Sequence, residues 1–263
     1  MKAILLADPH ALDFSKVAQA LSKIRRIPLA DAAQQARTQW GLIIEAVDEG
    51  VAVEWENQFT TLGVVVRMVN PSQVVSPPSA VSVSQLVLSK DHLTVTPAGG
   101  HALDIPMKDL WLLGACVFEE DSTTTVTRQE GPSIGQRVAS AGVFLATGLP
   151  LSIGPKKQTV ETKQHHSETH VYLDLITRLP DARYRLDGRQ LDYSILGDRK
   201  QYHAMGNFRQ LLQVISQSAS DAWRNRGADI LLANRSLAEM SYRSLSDLDH
   251  ELRWLLTLRS LPT

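Results

Sequence analysis

Apolar positions along the first 70 residues switch between two periods, and each switch marks an element. Lys2 to Ala7 is short and apolar, as a strand requires. Asp13 then stands where a helix cap belongs, and Phe14, Val17, Ala18, Leu21 and Ile24 keep the i, i+3, i+4, i+7 spacing of one buried helical face. Pro28 suits the first turn of a second helix through Asp31, Ala32, Ala33 and Ala36. A strand-like run follows, Leu42 to Val47. A third helix carries Val51, Trp55, Phe59 and Leu62 on one side, Gly63 stops it, and Val64 to Val69 reads as a strand rich in β-branched residues. The order βααβαβ predicts a ferredoxin-like domain over residues 1–70, three strands with helices on a face.

Asn70 to Ser84 contains three prolines and five serines, so residues 71–84 are expected to link two domains. Strand patterns dominate beyond it: Gln85 to Leu88, Leu93 to Thr96, His101 to Ile105, Leu110 to Phe118, His170 to Thr177 and Arg183 to Leu186. Phe208, Leu211, Leu212 and Ile215 mark an amphipathic helix. Several antiparallel strands closed by one helix predict a pleckstrin-homology-like β domain over residues 85–263, with an apolar insert at 131–163 and a helical tail. In the tail a helix is expected from Asp221 to Leu232, interrupted near Gly227. Ser246 to Asp249 has the S-x-x-D form of a capping box ahead of Leu248, Leu252, Leu255 and Leu256. The expected class is α+β.

Composition narrows the functions. The chain has 263 residues, 27 basic and 28 acidic, with 43% hydrophobic and 21% charged residues. That balance excludes a disordered chain and one built as a whole for nucleic acid or anionic membrane. A single cysteine, Cys116, excludes an internal disulfide and a multi-cysteine metal site. Its apolar neighbours, Leu112 to Phe118, predict an inert core thiol. Only five apolar residues follow Lys2 in its run, short of a secretory signal, so a cytoplasmic start is expected. The least polar run, Val138 to Ile153, is 16 residues broken by Gly142, Gly148 and Pro150, too short for a spanning helix.

Chemical motifs are sparse. Neither G-x-S-x-G, G-x-G-x-x-G nor a P-loop occurs. His165, His166, Glu168 and His170 form the densest set of metal-ligating side chains, but Glu168 sits two places after His166, not one as in H-E-x-x-H. On a strand, His166, Glu168 and His170 share one face, which fits either a surface metal site or a solvated polar strand. Glu119, Glu120 and Asp121 read as a solvated loop. From Arg178 to Arg226, nine basic residues exceed five aspartates by four, with Tyr184, Tyr193 and Tyr202 interleaved. Arg183, Tyr184, Arg185, Arg189, Arg199 and Lys200 are the candidate binding residues, since arginine forks pair with phosphates and tyrosines stack or cover an interface. Pairing with nearby aspartates is the competing reading.

Leu191 to Arg199 (LDYSILGDR), Asn207 to Leu212 (NFRQLL) and Tyr242 to Leu256 together resemble a family of bacterial proteins of unknown function. The resemblance covers the last third of the chain and implies a bacterial cytoplasmic protein, with no activity to carry over. The sequence therefore predicts a non-catalytic binding or scaffolding protein with a protein–protein surface or self-association and no cofactor. Nucleic-acid or phospholipid-headgroup binding by the basic face is the alternative. A metal-dependent enzyme using the 165–170 cluster is the third reading.

Overall fold

The protein is described here by a computed structural model covering residues 1–9, 12–130, 158–178 and 181–262. It is an α+β protein. The first strand, β1 (Lys2–Leu6), lies between β2 (Leu42–Val47) and β3 (Val66–Val69), and both neighbours run antiparallel to it. Parallel to each other, β2 and β3 are joined by α3 (Glu49–Thr61), a crossover split by β1. Helices α1 (Phe14–Arg25) and α2 (Leu29–Thr38) precede β2. Asp13 caps α1, accepting from the backbone N–H groups of Ser15 and Lys16 at 3.1 and 3.2 Å. Gly63 ends the turn after α3 with a φ of +71°, a conformation glycine adopts without a Cβ penalty.

Ala3, Ile4, Leu5 and Leu6 are all buried, so β1 is covered on both faces. A βααβαβ unit with helices on one face leaves the other face bare. The C-terminal helix, α6 (Leu245–Ser260), supplies contacts there. Its Trp254 indole N–H donates to the Leu6 carbonyl at 2.8 Å, and its ring lies where a Cβ on Gly41 would come within 2.0 Å. Gly41, with a φ of +80°, is the residue this approach demands. Arg253 of α6 pairs with Glu45 of β2 at 2.5 Å.

The second sheet has seven strands: β4 (Ala80–Leu88), β5 (His92–Pro97), β6 (Leu103–Pro106), β7 (Leu110–Glu130), β8 (Gln158–Thr177), β9 (Ala182–Asp187) and β10 (Trp223–Arg224). Their order is β10-β7-β8-β9-β4-β5-β6. The runs β4-β5-β6 and β7-β8-β9 meet where β4 pairs parallel with β9, Ala80 opposite Arg183. α4 (Ala204–Ser218) buries Phe208, Leu211, Leu212 and Ile215, the four positions whose spacing predicts it. A short α5 (Arg226–Leu232) follows β10.

Several expectations change. Residues 1–118 and 169–263 form one compact unit and 119–168 a second. Pro71–Gln73 is a 3-10 turn, and Ala80 already belongs to β4, because Val81 and Val83 alternate with serines and suit a strand. Glu119 and Glu120, expected in a loop, continue β7. The helix expected from Asp221 begins only at Arg226, where the Asn225 side chain accepts from the Ala228 N–H. No capping box forms at Ser246, since α6 already starts at Leu245 and Asp249 turns toward β9. Most of the 131–163 insert lies outside the described residues. No helix among the described residues is long and apolar enough to cross a membrane.

Candidate functional site

Strands β8 and β9 form an antiparallel pair in which Asp174 stands opposite Arg185 and Ile176 opposite Arg183. Side chains alternate across a strand, which puts Arg183 and Arg185 on one face of β9 and Tyr184 and Leu186 on the other. Asp174, fully buried, accepts from both arginines: Arg185 binds it bidentately through Nε and a terminal nitrogen, both at 2.8 Å, and Arg183 through the same pair at 2.8 and 2.5 Å. Asp249 closes the group from α6, bonding to Arg183 and lying 3.5 Å from Arg185. Burial opposes the charge on Arg185. The Asp174 hydrogen bonds and the two carboxylates outweigh it and hold the guanidinium above its ordinary pKa.

The face continues along β8. Arg185 stands 5.8 Å over the Tyr172 ring, and Tyr172 and Phe118 both stack near His170, the latter at 5.2 Å between centroids. Burial and then Asp187 push the Tyr172 hydroxyl up. Cys116 is fully buried; burial and then Asp174 raise its thiol far above the ordinary range, which keeps it protonated and inert.

The six candidate binding residues do not form one solvent-facing surface. Arg183 and Tyr184 are buried, and they point to opposite faces. Arg185 is half-buried in the aspartate cluster. Arg189 is exposed, 3.7 Å from Asp187, and Arg199 and Lys200 are exposed at the end of the 3-10 turn Tyr193–Arg199. Other cations of this region are also held internally, Arg224 by Asp229 at 2.7 Å and Arg209 by Asn234. Of the His/Glu cluster, Glu168 is exposed on β8 and the side chains of His165 and His166 lie outside the described residues. Among the described residues, no three histidine, cysteine or carboxylate side chains gather as metal ligands.

Sequence reasoning misses a second buried polar group. Asn225 acts as a surrogate strand residue beside β7, accepting from the Ala115 N–H at 2.8 Å and donating to the Ala115 carbonyl at 2.9 Å. It also donates to Glu251 of α6 at 2.8 Å, which accepts from the Tyr242 hydroxyl and from the Arg226 N–H. The Arg226 guanidinium sits 4.7 Å from the Trp40 ring and 5.2 Å from Phe14, and Trp40 stacks on Tyr242 at 4.5 Å. Gly227 is obligatory, since a Cβ there would meet the Ala115 carbonyl oxygen at 1.9 Å.

Burial raises the Glu251 carboxyl above the ordinary 4.5, although the Tyr242 hydrogen bond, Arg226 and Asn225 pull the other way. The folded chain thus holds this proton more tightly than the unfolded chain does. Its stabilising contribution is full below the ordinary value and is lost as pH rises through the raised folded value. Urea midpoints from pH 4 to 8 are expected to fall less steeply for Glu251→Gln than for the native chain; parallel curves would contradict the assignment. A scan of protein-family models matches none to this chain, and neither the curated proteins nor the solved structures yield a match.

Proposed function

We propose that this is a non-catalytic cytoplasmic binding or scaffolding protein whose protein–protein surface lies on the second unit, Glu119–Glu168. The observation that carries the reading is the length of two strands. β7 has 21 residues and β8 has 20, against a usual strand of about 5–6, and both run from the first unit into the second. A two-stranded ribbon alone is marginal in water. The chain joining these strands is apolar from Val138 to Ile153 and flanked by Arg137, Lys156 and Lys157, a composition that suits cover by another protein. The internal pairing of Arg183 and Arg185 favours this reading over a broad basic surface.

The finer fold likenesses belong to the same proposal. The split crossover around β1 supports a ferredoxin-like first part, and the antiparallel run β4-β5-β6 with the antiparallel pair β8-β9, followed by α4, supports a pleckstrin-homology-like second part. Membership in the bacterial family of unknown function rests on the sequence resemblance alone.

Sedimentation of the native chain is to be compared with a chain in which residues 131–157 are replaced by a short Gly-Ser turn. The native chain is expected to self-associate or to sediment with a captured partner, and the shortened chain to remain a folded monomer. Identical sedimentation and identical captured partners would remove the second unit as the contact surface.

A further inference from the structure

We propose that Arg183 and Arg185 form a binding pocket for a phosphate-bearing ligand, and that Asp249 occupies it in this structure as a built-in competitor. The argument begins with charge. Two guanidiniums face a single fully buried carboxylate, Asp174, which leaves one positive charge unbalanced in a poorly solvated place. Asp249 balances it from a different element. Its side chain is 46% exposed, while those of Arg183 and Arg185 are 4% and 15% exposed. Arg185 thus lies nearer water than Arg183, and Asp249, which bonds to Arg183 and lies beside Arg185, is the one group of the four that water reaches freely.

Asp174 does for this pocket what a supporting residue does for any anion site. It fixes Arg185 bidentately and Arg183 through two nitrogens, so the remaining donors are already oriented. Uncovering them breaks the Asp249–Arg183 bond but leaves α6 where it is. The core side chains Leu248, Leu252 and Leu255 hold α6 in place, and a rotation of the short Asp249 side chain about its own bonds frees the arginines. Asp249 is loosely engaged on one side, 3.5 Å from Arg185. A phosphate monoester carries close to two negative charges and three acceptor oxygens, so it can bridge both guanidiniums where the aspartate reaches mainly one. Tyr172, under Arg185, forms one wall. This site lies wholly within residues 1–118 and 169–263 and does not depend on the proposed surface of the second unit.

The test uses Asp249→Asn, which keeps the shape and removes the competing charge. Titration with inorganic phosphate, followed by calorimetry and phosphorus NMR line broadening, is expected to show binding roughly tenfold or more tighter than in the native chain, because an intramolecular competitor acts at high effective concentration. Adding Arg185→Gln to D249N is expected to abolish the gain. Should that double variant fail to fold by circular dichroism, Arg185→Lys in the same background keeps the charge, loses the fork and is expected to bind more weakly than D249N. Glycerol phosphate and a short oligonucleotide then separate a headgroup from a nucleic-acid source. Equal phosphate affinity in native and D249N chains overturns the proposal, as does D249N binding that survives the Arg185 change.

Discussion

Asp174→Ala is expected to destabilise the protein by about 3–5 kcal/mol, the usual consequence of stripping one partner from a buried ion pair. Asp174 is fully buried and accepts four hydrogen bonds from two arginines whose own side chains are nearly hidden. Without it, two guanidiniums would share only Asp249, which is half in water. The loss is read as a lowered urea midpoint with an unchanged slope. Replacing the whole group by apolar residues of similar volume, Asp174→Leu with Arg183→Met and Arg185→Met, is expected to cost less than Asp174→Ala alone, since no buried charge is then left uncompensated. A cost equal to or above that of the single change would show that the ion pairs themselves, rather than the penalty of breaking them, hold this sheet face together.

Trp254→Ala is expected to cost a similar amount, about 3–5 kcal/mol, through the cavity left by a large buried ring. The indole is 1% exposed, packs on Gly41 and donates to the Leu6 carbonyl. Because one side chain joins α6 to β1 and to the entry of β2, hydrogen exchange should speed up at Ala3–Leu6 as well as along α6. Trp254→Phe keeps most of the packing and loses the hydrogen bond, so a smaller loss is expected. Faster exchange confined to α6 would contradict a shared core.

Much of the fold is legible in the sequence where one local signal decides an element. Asp13 and the spacing from Phe14 to Ile24 define α1, and Leu42 to Val47 define β2 to the residue. What local patterns cannot carry is the second cover on β1, because Trp254 lies 248 residues from its acceptor, Leu6. The run Ala3–Leu6 did hold a hint, since four consecutive buried apolar residues belong to a strand covered on both faces. The arginine cluster was half legible. The antiparallel register that sets Thr177 against Ala182 also sets Asp174 against Arg185. A lone aspartate in the apolar run from Val171 to Ile176 needs a buried cation. Asp249 was hidden because its S-x-x-D context read as a helix cap. Asn225 and Glu251 carry no spacing signal at all; they meet only when β7, α5 and α6 pack.

The junction of Leu6 and Trp254 also bears on how the chain comes off the ribosome. At roughly 5–20 residues per second, the partner of the first strand emerges on the order of ten to fifty seconds after it. Through that interval Ala3, Ile4, Leu5 and Leu6 can have only part of their final shelter. Until α6 has been made, that apolar strand lacks the Trp254 cover it has in the folded chain.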